Sequence, residues 1–344
     1  MKIRTNSQIS KCLTIASAVL GAARLVQAGS MSHYTPGVLN IRDYIMPDQG
    51  IYGALYNYNY FTDRITDDNG HVVNSVNISP GPGPGVNVGI NPRIDISVVM
   101  PVLIWSSPYK FHGVRYGALI APTFANSSLD VALATERGTG RNPSTSSFDV
   151  GDMYVEPLWL KYSLTNWDFS LSYGFYAPVG KYNTESVNIL GQNFKTTSPD
   201  NVGMGFWTQE FQGAVAWYPW ADKRMMVMGA LTYEYNSDKQ GIDDTPGQHL
   251  SLNWGVDEYL PLTKDQKLLL DFGPAGYDNW QISDDSGSAA NNPTEHYQVH
   301  GIGGQLGLSY VPWNAALTMH GFYEFYSENG LQGASISLSL AVKF

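Results

Sequence analysis

The sequence predicts an all-β protein, a transmembrane antiparallel up-and-down β-barrel of about twelve strands, on three observations. Charged residues make up only 15% of the 344, against roughly 25% in a typical soluble domain, so something other than water covers much of the surface. Past the N-terminus, no apolar run approaches the roughly 20 residues of a membrane-spanning helix. A closed barrel is the remaining way to live in lipid, where every backbone N–H and C=O must be paired internally. Finally, stretches of period-two alternation recur down the chain and are joined by connections that are largely long and short in turn.

The first residues read as an export signal. Lys2, Arg4 and Lys11 precede the apolar stretch "CLTIASAVLGAA", and Val26-Gln27-Ala28 has the small residues of a cleavage site. Residues 1–28 are therefore expected to be removed. The only cysteine, Cys12, lies among them, so the mature chain is expected to carry no thiol, disulfide or Cys-ligated metal. Residues 29–49, "GSMSHYTPGVLNIRDYIMPDQ", contain Pro36, Gly37 and Pro47 and show no clear period. They fit either a periplasmic segment or a plug folded into the lumen, and the barrel itself is expected over 50–344.

Strands are expected near 50–61, 92–104, 112–124, 149–163, 167–178, 204–218, 223–236, 247–259, 267–279, 296–311, 314–327 and 333–344. Most exceed the roughly 9 to 11 residues that a tilted strand needs to cross the hydrocarbon. In 91–105, Ile94, Ile96, Val98, Met100, Val102 and Ile104 share a face opposite Arg93, Asp95 and Ser97. In 167–178, Phe169, Leu171, Tyr173 and Phe175 oppose Ser170, Ser172 and Gly174; in 249–260, Leu250, Leu252, Trp254 and Val256 oppose Ser251, Asn253 and Asp257. Each pattern fits one face in lipid and one in polar surroundings. The connections 62–91, 125–148, 179–203 and 280–295 are long, 237–246 is intermediate, and those near 105–111, 165–166, 219–222, 260–266, 312–313 and 328–332 are short. Long loops outside and short periplasmic turns are the habit of bacterial outer-membrane barrels, and this register puts both chain ends on the periplasmic side. Trp105, Trp159, Trp167, Trp217, Trp220, Trp254 and Trp313 fall near the short-turn ends, as an interfacial girdle requires.

The faces opposite the lipid carry Arg93, Asp95, Arg115, Glu156, Glu210, Glu234, Asp257, Asp271, His320 and Glu324. Charges there are expensive in hydrocarbon and are expected to line the lumen, either as ion pairs holding the barrel or as a solute path. Leu119, Tyr176, Met226, Met228, Phe322 and Tyr326 are expected to share that lining. Twelve strands lie between the eight whose interior is just filled by side chains and the sixteen to eighteen that leave an aqueous channel, which predicts a narrow pore. A mixed lining suits small, partly apolar solutes better than ions.

The formal net charge of −10 argues against nucleic acid, whose phosphates it would repel. No G-x-S-x-G, H-E-x-x-H or Gly-rich phosphate loop occurs, so no catalytic residue, cofactor or metal site is expected. His296 and His300 are four apart, but strand rise separates them by roughly 13 Å. The final stretch "ASISLSLAVKF" alternates Ile336, Leu338, Leu340, Val342 and Phe344 against Ser335, Ser337, Ser339 and Lys343. It is expected to close the sheet, with Phe344 resembling the signal that barrel-assembly machinery reads in its clients.

Several stretches resemble a known family: "HYTPG" (33–37), "GDMYVEPLWL" (151–160), "YGFYAPVGKY" (173–182), "DNWQISDDSGS" (278–288) and "YEFYSENGLQG" (323–333). They are similar to outer-membrane proteins associated with the meta-pathway of phenol degradation. The resemblance implies a barrel of about a dozen strands acting as a channel or transporter for small hydrophobic compounds, with no catalytic residues. The expected setting is the outer membrane of a Gram-negative bacterium, with lipid, lipopolysaccharide, assembly machinery and small hydrophobic solutes as partners. The competing expectation is a structural or surface-interaction barrel with a blocked lumen, whose long loops do the binding.

Overall fold

The computed structural model describes residues 31–78, 86–135, 138–141, 145–189, 192–198, 200–290 and 292–344. The expected export segment, with Cys12, and the Pro-Gly repeat of the first long loop lie outside the described residues. A 3-10 turn at Ile41–Tyr44 precedes the strands. In chain order these are β1 (Gly50–Thr62), β2 (Ser75–Ile78), β3 (Val86–Phe111), β4 (Val114–Ala121), β5 (Phe124–Thr135), β6 (Gly138–Arg141), β7 (Thr145–Val150), β8 (Met153–Ser163) and β9 (Trp167–Ala177). There follow β10 (Thr184–Ile189), β11 (Gln192–Thr197), β12 (Thr208–Trp217), β13 (Met225–Asn236), β14 (His249–Pro261), β15 (Leu268–Gln281), β16 (Gln298–Tyr310), β17 (Ala315–Glu328) and β18 (Ala334–Lys343).

Twelve of these strands close an antiparallel barrel, in the order β1, β3, β4, β8, β9 and then β12 through β18. Closure is made by β1, which pairs with β18 on one side and β3 on the other, leaving no open edge. The alternation that predicts these strands also sets their faces. On β18, Ser335, Ser337 and Ser339 are buried while Ile336, Leu338 and Leu340 are exposed on the outside. On β9, Ser170 and Ser172 point in, and Phe169 and Leu171 point out.

Three expectations about the wall are corrected. The turn expected at 105–111 is strand: β3 runs to Phe111 with an irregularity between Ser106 and Lys110, and the reversal falls at His112-Gly113. The long loop expected at 125–148 is largely β5, β6 and β7, which pair with the first half of β3 and with one another. These strands continue the ladders of β3, β4 and β8 past the apolar band, where neither face need be apolar, so the alternation fades although the hydrogen bonding persists. The loop expected at 179–203 holds a separate hairpin, β10–β11.

Part of the segment before β1 packs inside the barrel. Tyr34, Ile41, Tyr44 and Ile45 pack against Ala214, Met226, Met228, Ala275, Tyr277 and Phe322, which point inward from β12, β13, β15 and β17. The hydrophobic core of the molecule is thus the interface between this segment and the wall. Two glycines make the fit. Gly37 turns the segment with φ of +77°, a conformation that costs a residue with a Cβ. Gly255 on β14 leaves room for Ile41: a Cβ there would sit 2.9 Å from the Ile41 Cγ1.

Candidate functional site

The lumen has two polar layers, and the segment touches both. In the first, Glu156 of β8, Glu210 of β12 and Glu234 of β13 are 5%, 2% and 1% exposed. Glu210 and Glu234 are direct partners in the β12–β13 ladder. The Tyr154 hydroxyl, with a single proton to give, lies 2.8 Å from Glu156 Oε2 and 2.7 Å from Glu210 Oε1. The backbone N–H of Tyr34 donates to Glu234 Oε1 at 2.8 Å. The remaining oxygens, Glu156 Oε1, Glu210 Oε2 and Glu234 Oε2, are buried without a hydrogen-bond partner. His33 of the segment sits beside them, its Nδ1 2.6 Å from Thr208 Oγ1 and its Nε2 2.9 Å from Asp152 Oδ2. Its ring stacks on Tyr176 and meets the edge of Phe206.

In the second layer Arg42 fixes the segment to the wall. Its Nε donates to Asp257 Oδ2, its Nη2 to the Arg224 carbonyl at 2.6 Å and its Nη1 to the Lys223 carbonyl at 3.3 Å. The guanidinium carbon lies 3.9 Å from the ring centre of Tyr259. Gln305 Nε2 bridges Asp257 and Asp271 at 3.0 and 3.1 Å, and its Oε1 accepts the Ile41 N–H at 2.8 Å. Nearby, the Asp168 carboxylate receives Lys223 at 2.8 Å and Lys161 at 3.8 Å.

Eight of the ten residues expected in the lumen are buried there. Beyond those above, Arg115 donates to the Ser107 carbonyl at 2.9 Å, and His320 Nδ1 lies 3.1 Å from Asn40 Oδ1 of the segment. Glu324 accepts from the Tyr60 and Tyr277 hydroxyls. Arg93 and Asp95 are corrections: they point outward, the Arg93 side chain being 76% exposed, while Ile94, Ile96 and Val98 pack inside with Tyr58 and Tyr60. From Val98 to Trp105 the strand is apolar on both faces, so alternation does not tell in from out. The two charges lie on the first half of β3, which runs beyond the apolar band, where an outward charge meets water. Tyr326 is also displaced: the β16–β17 register shifts at His300/Gly301, leaving it at the rim beside Glu328.

Of the tryptophans, Trp105, Trp167, Trp217, Trp220 and Trp313 are exposed at the short-connection end, as a girdle needs. Trp159 is instead buried, its indole N–H on Ser170 Oγ at 2.7 Å, and Trp254 is exposed halfway along β14. A register shift between Val155 and Leu158 exchanges the faces of β8, so Glu156 and then Trp159 and Lys161 point in. Phe344 is exposed, with its N–H on the Ile51 carbonyl at 2.9 Å. Sequence reasoning missed Arg42, which sits in a stretch without period, and Asp168, whose shared parity with Ser170 and Ser172 is a usable signal.

Between segment and wall lies a cavity of about 10 Å3, lined by Leu39, Ile41, Tyr44, Met228, His320 and Phe322 among others. That is room for one water, so with the segment seated this space passes no organic solute.

No curated protein sequence matches the chain. Among solved structures, an outer membrane channel from Pseudomonas putida F1 superimposes with a TM-score of 0.57 at 16% identity, over 91% of this chain and 100% of that one. At that identity the likeness establishes the barrel fold alone. The β domain of the Bordetella autotransporter BrkA gives 0.47 at 10% identity, over 86% and 100% of the two chains. The translocator domain of the autotransporter NalP from Neisseria meningitidis gives 0.46 at 11%, over 96% and 98%. The profile of the family described as "Putative MetA-pathway of phenol degradation" matches residues 62–340, and the chain belongs to that family.

Proposed function

We propose that the protein is an outer-membrane channel for passive uptake of small hydrophobic or aromatic compounds, closed by its own N-terminal segment. The observation that carries this reading is what fills the barrel. The lumen is occupied by residues 32–46, a chain segment joined to the wall through hydrogen bonds of its side chains and isolated backbone groups and through no strand ladder, rather than by the wall's side chains alone. Such a segment can leave without unpairing a single strand. The surface it would uncover is mixed: Met226, Met228, Tyr277 and Phe322 are interspersed with carboxylates, Asp257 standing across from Met226 and Glu324 accepting from Tyr277. That suits solutes with an aromatic body and a polar handle. The exposed apolar band, flanked by Trp167, Trp217 and Trp313 at one end, fits a lipid setting, with lipopolysaccharide around the long loops and assembly machinery delivering the chain.

The test is the flux of phenol-like solutes into vesicles whose outer leaflet is lipopolysaccharide, itself a poor path for them. Folded protein should raise the flux; no increase over protein-free vesicles, with folding confirmed, overturns the reading. The cavity of about 10 Å3 favours a second reading, a permanently blocked barrel whose loops bind a partner. In that case loosening the segment leaves flux at the protein-free level, while trimming residues 62–74 or the hairpin β5–β7 removes the function.

A further inference from the structure

Three features of the lumen bear on which solutes it takes. Glu156, Glu210 and Glu234 each keep one buried oxygen without a hydrogen-bond partner. Among the described residues, no lysine, arginine or histidine lies within ion-pair distance of any of the three. Of the three, Glu234 meets the segment directly, accepting the Tyr34 N–H, and Glu210 is its ladder partner. Second, the wall already holds an organic cation in the seated state: the Arg42 guanidinium lies against Asp257 and over the Tyr259 ring, a carboxylate-plus-aromatic arrangement that attracts cations in general. Third, acids outnumber bases. Seven wall carboxylates are buried, Glu156, Asp168, Glu210, Glu234, Asp257, Asp271 and Glu324. The bases Arg115, Lys161 and Lys223 lie at the short-connection end, where Asp168 takes two of them and where Asp257 and Asp271 also sit.

When the segment leaves, Arg42 leaves with it, and Asp257 and Asp271 lose their counter-charge. The uncovered passage then presents these two carboxylates and the three glutamates to water, interleaved with Tyr154, Tyr176 and Tyr259. A cleft lined by one sign of charge between low-dielectric walls concentrates counter-ions and excludes co-ions. No three of these carboxylates and histidines are placed to hold a metal ion among the described residues. The ligand class they fit is a larger cation with an apolar body.

We infer that the open passage selects by charge, admitting aromatic cations such as protonated arylalkylamines and excluding aromatic carboxylates and sulfonates. This rests on the channel reading above and narrows its substrate class. The experiment is the reversal potential across planar bilayers containing the full mature chain, in a gradient of trimethylanilinium benzenesulfonate. Both ions are aromatic, similar in size and permanently charged. The cation should be favoured by about tenfold, the low end of what a charged cleft gives. The single variant Glu210→Gln should reduce that ratio, and Glu156→Gln/Glu210→Gln/Glu234→Gln should bring it close to one. A wild-type current with a ratio of one or below overturns the inference and leaves the channel standing. A ratio unchanged in Glu210→Gln, with current present, removes the glutamates as its source. No current from wild type or from Arg42→Ala overturns the channel reading, and the inference falls with it.

Discussion

Arg42→Ala should convert a mostly closed barrel into a mostly open one. Arg42 is the segment's only cationic side chain on the wall, and its partner Asp257 is fully buried. Removing one member of a buried ion pair costs about 3–5 kcal/mol, because the other is left uncompensated. The Arg42 side chain keeps 20% exposure and Asp257 retains the Gln305 amide, so the low end, about 3 kcal/mol, applies. With each 1.4 kcal/mol worth tenfold in an equilibrium constant, the balance between seated and unseated segment should move by ~100-fold toward unseated. Arg42→Lys keeps the charge but cannot bond Asp257 and two carbonyls at once or stack as a plane on Tyr259, and should move it by about tenfold. Open probability in planar bilayers reads the shift, with heat-dependent gel mobility checking that the barrel is intact. An intact Arg42→Ala barrel with wild-type open probability refutes the reasoning.

Other perturbations follow from the same contacts. Gly255→Val places side-chain carbon against Ile41 and should expose residues 31–46 to added protease while the barrel stays resistant; unchanged protection would show that Ile41 does not seat there. Gly37→Ala, at a φ of +77°, should weaken seating by about 1 kcal/mol, seen as a severalfold rise in open probability. The loop carrying β10–β11 should loosen in acid. There Lys181, 2.8 Å away, and the Ser198 hydroxyl hold the Asp200 carboxyl below its ordinary range. A carboxyl lowered in the folded state stabilises above its unfolded value, near 3.9, and loses that contribution as pH falls through the folded value. Hydrogen exchange over 184–197 should therefore stay flat from pH 7 to about 5 and accelerate below about 4, once the intrinsic pH dependence is removed; Lys181→Ala should show the loose behaviour throughout.

The barrel is legible in the sequence where lipid lies on one side and a polar lumen on the other, because period two then has a physical cause on both faces. On β12, Glu210 and Gln212 against Phe211 and Val215 leave one possible orientation. The signal fails in three ways. On β3 both faces are apolar around Met100, so the side chosen for Arg93 and Asp95 has no local support. On β8 the shift between Val155 and Leu158 exchanges the faces within one strand, turning Trp159 from a girdle residue into an inward one. In β5 to β7 the outer face leaves the apolar band, and the pattern dissolves into Ser and Asn while the ladder continues. Six of the lumen acids are readable one by one, Asp168 being the exception; their contact with residues 31–49 is not, since it depends on a segment with no period. Arg42, Ile41 and Tyr34 meet Asp257, Gly255 and Glu234 only once the barrel closes around them.

The most direct test of the account locks the segment in place. Ile41 lies against Gly255, and the one cysteine, Cys12, lies in the expected export segment, so Ile41→Cys combined with Gly255→Cys offers a single disulfide. Solute flux should be abolished under oxidising conditions and return on adding reductant. Equal flux in the locked and unlocked protein, with the cross-link verified by mass, would contradict the claim that residues 31–49 close the passage.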